Sequence, residues 1–375
     1  MKKNISILTL ALLLCLLGGC KHNDAYTING AVSMPGFDGS MVYLTDVNTS
    51  EPIDSVVVAD GKFTFQGSVE QPTIGVIRAT SVNEDVSCTS YIVLEEGTIY
   101  IDIVTDSLSG TPLNDYYYSH YTADTEISSL RKQVSDLINQ YYVVMELGPQ
   151  ATEELMMEYA KADSLLNNRT NIVLSNMYQE NNENILGAFA LANLADAGVI
   201  TFDSLDNIMA HANPIVAQFS PLATIYKRLE NVAKTSEGKP FVDLNGIDFA
   251  TGKATKLSKM IQPGQITLID FWASWCSPCR GEIKENLIRL YDKYASQGLN
   301  IIGIDVWDKP EDHKAAVEGL GIKYPQLIDN EGTATDTYGV DGVPTILLID
   351  KNGTIVKRGI RGDEIEKAVI EYLAK

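Results

Sequence analysis

Three regimes of hydrophobic patterning follow one another along the chain. From Tyr26 to about Asp106 the apolar residues fall in short β-branched or aromatic runs: Tyr26–Gly30, Met41–Leu44, Ser55–Val58, Lys62–Phe65 and Thr98–Ile103. Such runs read as strands, and Ala59-Asp60-Gly61-Lys62 between two of them is a hairpin turn. Several strands at close spacing predict an antiparallel, β-sandwich-like domain over residues 26–110. From 114 to 235 the period becomes helical. Leu130, Val134, Leu137, Ile138 and Tyr141 share one helix face, and Tyr159, Ala162, Leu166, Val173 and Met177 share another. Gly148-Pro149, Asn213-Pro214 and Ser220-Pro221 divide this stretch into about four or five helices. The Tyr116-Tyr117-Tyr118 cluster reads as packing. Ser236 to Pro240 is a linker, and strand and helix patterns alternate beyond it. Phe241–Gly252 reads as a hairpin, Ile266–Trp272 and Leu299–Val306 as buried strands, and Pro325–Asp329 as a short strand. Helices are predicted from Cys279 to about Ser296, over Pro310–Leu320, and over Asp363–Leu373. Pro344–Asp350 and Thr354–Gly359 form a second hairpin. This order predicts a three-layer α/β domain with a mixed sheet over residues 236–375.

The N-terminus follows none of these patterns. Lys2 and Lys3 precede an apolar run from Ile5 to Leu17, shorter than the roughly 20 residues of a membrane span and suited to a secretory leader over residues 1–19. Leu17-Gly18-Gly19-Cys20 resembles the bacterial lipobox. That resemblance implies lipidation at Cys20, a tether over 20–25, and a periplasm-facing protein held on a membrane of the cell envelope. It leaves open whether that membrane is inner or outer. With 29 basic and 49 acidic residues the formal charge is −20, so nucleic acid and anionic headgroups are excluded as partners. Of five cysteines, Cys15 would leave with the leader and Cys20 would carry lipid. Cys88, Cys276 and Cys279 remain, too few for a disulfide framework. Cys88 reads as a small buried strand residue.

The chemistry lies in Asp270-Phe-Trp-Ala-Ser-Trp-Cys-Ser-Pro-Cys-Arg280. A strand ends near Trp272, a tight turn follows, and a helix begins near Cys276. A thiol at that helix start faces unpaired N–H groups that favour its anion. A pKa lowered from about 8.5 to about 7 raises the thiolate fraction at neutral pH from a few per cent to about half. Cys276 is then the nucleophile, and Cys279 is the resolving thiol that closes the Cys276–Cys279 redox disulfide.

This run resembles the active site of thioredoxins, and its setting resembles the membrane-tethered TlpA/ResA branch. Gly342-Val343-Pro344-Thr345 matches the second landmark of that fold, the cis-proline loop. The resemblance implies a thiol-disulfide oxidoreductase that reduces or reshuffles disulfides of client proteins, in cytochrome maturation for example. A membrane thiol electron donor would re-reduce it, and no cofactor is needed. Asp270 matches the buried aspartate that takes the proton of the second thiol, and Glu282 matches an active-site glutamate of the ResA-like group. Pro344 is expected in cis opposite the dithiol, with the Val343 backbone free to pair with an extended client and Trp275 shaping the client surface. The family's proline five residues after the second cysteine is Lys284 here, which leaves the helix kink open. Ile53 to Glu70 resembles a β-rich domain found ahead of lipoprotein thioredoxin modules.

Other chemistries fit less well. A structural zinc site needs four ligands, and the four histidines are scattered, so no metal is expected. A peroxidase of the peroxiredoxin type carries threonine or serine three residues before its cysteine, where this chain has Ala273. A non-catalytic binding scaffold would have no need of both cysteines and the loop proline.

Overall fold

The computed structural model describes residues 25–144 and 149–375; the leader, Cys15, Cys20 and Gly148 lie outside the described residues. The chain divides into two compact units, one ending at Leu186 and one beginning at Gly187.

The first unit opens with eight strands: β1 (Ala25–Ala31), β2 (Met41–Asp46), β3 (Pro52–Val57), β4 (Lys62–Ser68), β5 (Thr73–Thr80), β6 (Ser87–Leu94), β7 (Gly97–Asp102) and β8 (Ser107–Ser109). They form two four-stranded sheets, in the orders β4-β1-β7-β8 and β3-β2-β5-β6. Pairing is antiparallel except between β1 and β7, which run parallel. Asp60 and Gly61 both have positive φ, 51° and 67°, the backbone of a tight hairpin turn. Alternate side chains of β1 and β4, Tyr26, Ile28, Phe63 and Phe65, are buried, as period two requires. Cys88 on β6 is a free thiol, half-buried rather than buried, and burial together with the nearby Asp106 and Asp102 raises its pKa.

Helices follow: α1 (Pro112–Tyr117), α2 (Thr125–Val144), α3 (Pro149–Asn181), α4 (Ile185–Asp196), α5 (Phe202–Met209), α6 (Pro214–Ala217) and α7 (Ser220–Lys234). Proline sits in the first turn of α1, α6 and α7, where its missing N–H costs nothing. Leu137, Ala162, Val173 and Met177 of the two apolar faces are buried, whereas Ile138 is exposed. Tyr117 is buried, and the Tyr116 hydroxyl donates to Glu180 on α3 at 2.7 Å. No described helix is long and apolar enough to cross a membrane.

The second unit is built on β9 (Asn245–Asp248), β10 (Lys253–Lys256), β11 (Ile266–Trp272), β12 (Leu299–Asp305), β13 (Gln326–Ile328), β14 (Thr345–Ile349) and β15 (Ile355–Arg358). The helices interleaved with them are α8 (Leu257–Met260), α9 (Ser277–Glu282), α10 (Ile288–Tyr294), α11 (Pro310–Leu320), α12 (Ala334–Tyr338) and α13 (Asp363–Leu373). The sheet order is β10-β9-β13-β12-β11-β14-β15. β11, β12 and β13 run parallel, and the strands on either side pair antiparallel. The first hairpin is shifted along the chain from its expected place: its strands begin at Asn245 and end at Lys256.

Every residue of β11 and β12 is buried, because helices cover both faces. Ile266, Leu268 and Trp272 join one core with Cys276, Cys279, Ile365 and Val369, while Ile269 and Phe271 face the other with Leu257 and Tyr338. Asp270 falls in the first set by the same alternation. Gly303 on β12 lies opposite Asp270 in the parallel register and opposite Gln326 on β13. A β-carbon there would collide with the Gln326 side chain, whose Oε1 accepts from Trp272 Nε1 at 3.0 Å. Glycine at 303 thus lets the largest side chain of this core find its one partner, since a buried indole N–H needs an acceptor.

Candidate active site

β11 delivers the chain to the site. Beyond Trp272 the backbone turns, and Cys276 caps α9 with extended backbone (φ −78°, ψ 103°). The Cys279 N–H donates to Cys276 Sγ at 3.1 Å, so the sulfur occupies the position of an N-cap acceptor. Pro278 sits in the first turn. The two sulfurs are joined as a disulfide, with Cα atoms 5.3 Å apart. Cys276 is 4% exposed and Cys279 fully buried, so an incoming sulfur can reach only the first. Between α9 and α10 lies a π-helical turn, Ile283–Leu287. It contains Lys284, where the family pattern has proline. The wider turn accommodates an extra residue in the helix at that point, and π-turns of this kind concentrate at functional sites.

The Val343–Pro344 peptide is cis, and the Val343 carbonyl oxygen lies 3.6 Å from Cys276 Sγ. Pro344 is buried and Val343 half-buried. Trp275 is 62% exposed and donates from Nε1 to the Trp307 carbonyl at 3.0 Å. Trp307, itself 50% exposed, has a positive φ of 55°, a conformation seldom adopted by a bulky residue. Trp275, next in the chain to Cys276, and the Trp307 backbone that holds its indole make one exposed corner of the site. Nothing in the sequence marks Trp307 as part of it.

Beneath the disulfide lies the carboxylate of Asp270, 1% exposed, with no hydrogen-bond partner on either oxygen. Burial pushes its pKa up to about 7; the positive charge of Arg361 opposes the rise and the negative charge of Glu282 adds to it. The Tyr324 hydroxyl is also buried without a partner, and burial together with the charge of Asp270 raises its pKa. Glu282 is half-buried. It accepts from Asn286 Nδ2 at 2.6 Å and from the Gly362 N–H at 3.3 and 3.2 Å, which ties the active-site helix to the start of α13. Its carboxylate acts on the site through charge on Asp270. Arg361 and Tyr324 reach the same core from distant parts of the chain, and no local pattern announces them.

Two features of the arrangement bear on its chemistry. A reduced Cys276 would lie at a helix start, which favours an anion, and a carboxyl raised to about 7 lies on the face of β11 that packs toward the core holding Cys279.

The chain is similar to known proteins in two regions. Residues 238–358 match the AhpC/TSA family, and residues 26–117 match a domain of unknown function (DUF4369). The thiol-disulfide oxidoreductase ResA of Bacillus thuringiensis (strain Al Hakam) is 35% identical over 124 residues, covering 33% of this chain and 69% of that protein. ResA of Bacillus thuringiensis subsp. konkukian (strain 97-27) is 36% identical over 112 residues; there the match spans 64% of the relative's length and 30% of this chain. A solved thioredoxin domain of a thiol-disulfide oxidoreductase from Bacteroides vulgatus matches at 29% identity and a TM-score of 0.34, covering 37% of this chain and 98% of that one.

Proposed function

Because this chain belongs, through its C-terminal domain, to the ResA thiol-disulfide oxidoreductases of the thioredoxin family, we propose that its Cys276–Cys279 dithiol reduces disulfides of client proteins at the cell envelope. The Cys276 thiolate attacks one client sulfur, forming a mixed disulfide and releasing the other client sulfur as a thiolate. Asp270 takes the proton of Cys279, whose thiolate then attacks Cys276 Sγ. The internal disulfide closes, and the second client thiolate leaves. Two electrons pass to the client, and a membrane thiol donor returns two electrons to the dithiol. The observation that carries this reading is the Cys276 sulfur capping α9 above a buried carboxylate that titrates near neutrality.

Val343, Pro344 and Trp275 are the surface on which an extended client segment would lie, its backbone pairing with that of Val343. Maturation of cytochromes is one process that consumes such reducing power. The envelope location rests on Lys2, Lys3, the apolar run and Leu17–Cys20. Lipid on Cys20 makes the chain sediment with membranes and makes Cys20→Ser soluble; a Cys20→Ser chain that still sediments refutes the anchor.

The direction of transfer is read by the reduction potential. Titration of the chain from Tyr26 onward against dithiothreitol or glutathione, with Cys276→Ser as control, is expected to give about −250 mV or lower, the range of thioredoxin-type reductants. A value above about −180 mV would overturn reduction in favour of oxidation or isomerisation.

A further inference from the structure

One cluster of side chains beside the dithiol turn has bonding capacity that the redox chemistry does not use. Asp305 ends β12 in register with Trp272. Asp308 follows three residues later, and His313 stands in the first turns of α11. His313 is fully buried and Asp305 is 4% exposed. Their Nδ1 and Oδ1 atoms lie 3.1 Å apart, a close ion-pair contact. Apart from that contact, both ring nitrogens of His313 and Oδ1 of Asp305 have no partner. The imidazole is boxed in by the rings of Trp272 and Phe249, at centroid distances of 4.9 and 5.5 Å.

The geometry points to a divalent metal site formed by Asp305, Asp308 and His313, with Zn²⁺ as the cation it suits. One ligand atom from each residue can be chosen such that all three lie within 4.8 Å of one another. A cation among them would use the lone pair of a ring nitrogen of neutral His313 and one oxygen from each carboxylate. It would complete the bonding of a buried imidazole and a buried carboxylate that otherwise meet only each other. One nitrogen and two oxygens suit zinc, whereas calcium and magnesium ask for oxygen alone. Three protein ligands leave the fourth position to water. Tetrahedral zinc bonds of about 2.0–2.2 Å place two ligands about 3.4 Å apart, so side chains up to 4.8 Å apart here close on the ion by about 1 Å through rotamer adjustment. Asp308 is the half-buried member, and the ion enters past it.

The site is coupled to the dithiol turn. The Asp308 carboxylate accepts from the Ser274 N–H at 2.5 Å, the Ser274 hydroxyl at 2.8 Å and the Lys309 N–H at 2.9 Å. Those bonds orient the carboxylate as outer partners orient metal ligands. They also tie the ion to the residue two positions before Cys276.

The test is calorimetric titration of ZnCl₂ into the full Cys88→Ser chain in detergent, stripped with chelator, with the disulfide closed so that Cys276 and Cys279 bind no metal. One Zn²⁺ per chain is expected. His313→Leu should abolish it, and Asp308→Asn, which keeps an acceptor oxygen for Ser274, should weaken it at least tenfold. Circular dichroism reports whether each variant folds. Absence of stoichiometric binding in the Cys88→Ser chain overturns the site, and so does binding unaffected by His313→Leu. Should His313→Leu not fold, Asp308→Asn decides alone, and an unchanged affinity there overturns the site. The measurement does not depend on redox activity, so it stands apart from the test of the proposed function.

Discussion

Replacing Cys276 with serine is expected to lower reduction of a client disulfide by at least about 10³-fold, to the uncatalysed level, because removal of a nucleophile removes the covalent path altogether. Replacing Cys279 gives a different result. In Cys279→Ser the nucleophile and its capped helix start remain, since the N–H that donates to Cys276 Sγ belongs to the backbone of residue 279. The first attack proceeds, the second cannot, and the chain accumulates as a mixed disulfide with its client. Non-reducing electrophoresis distinguishes the two: adducts in Cys279→Ser, none in Cys276→Ser. The opposite pattern would reverse the roles assigned to the two sulfurs. The difference in exposure argues against reversal, because Cys279 is fully buried and cannot meet a client sulfur before Cys276 does.

Asp270→Asn is expected to make the domain more stable and the enzyme slower. The carboxyl titrates near 3.8 when unfolded and near 7 in the folded domain. Between those values the folded state holds more protons than the unfolded one, so stability falls as pH rises through this window. It is greatest below about pH 4 and is fully reduced above about pH 7. A shift of this size corresponds to a loss of about 4 kcal/mol, taken to order of magnitude. Asparagine carries no charge, so the variant loses this pH dependence and gains most at pH 8. All three tryptophans, Trp272, Trp275 and Trp307, lie in the C-terminal domain, so denaturation followed by their fluorescence reads this domain alone. The kinetic effect has the opposite sign. Without a proton acceptor, the attack of Cys279 on the mixed disulfide should slow by about 10²-fold at pH 8, the lower end of general-base contributions. The resolution rate of the unaltered chain should rise with pH through about 7, and that inflection should vanish in Asp270→Asn. A variant that resolves as fast as the unaltered chain would remove Asp270 from the mechanism. One that is no more stable at pH 8 would show that the carboxyl is not the uncompensated charge described here.

Much of this was legible in the chain itself. β11, β12, α11 and α13 lie where hydrophobic period, proline in the first turn and an acidic helix start put them, since each signal is local. The dithiol was legible for the same reason: strand, turn, cysteine and helix start are contiguous, and a helix N-terminus favours an anion whatever surrounds it. β5 has no signal of its own and β6 is marked only by Cys88, because both depart from simple alternation. In β5 Thr73, Ile74 and Gly75 are buried in succession, and in β6 Ile92, Val93 and Leu94 are. The parallel pairing of β1 with β7 joins segments far apart in the chain, which no turn signal reports. The π-helical turn at Lys284 likewise has no signal in the sequence.

The site divides along the same line. The identity of Cys276 and Cys279 as the paired thiols and the placing of Asp270 on the dithiol side of β11 follow from the sequence, because a three-residue spacing and a period of two are properties of the backbone. The state of that carboxyl does not. Its pKa depends on how completely the core excludes water and on the charges of Arg361 and Glu282, which the fold brings near. Trp307 beside Trp275, Tyr324 near Asp270, and His313 against Asp305 were likewise decided by tertiary structure. Desolvation and Coulomb interaction act through space and are strongest where water is excluded, so only the packed chain sets them.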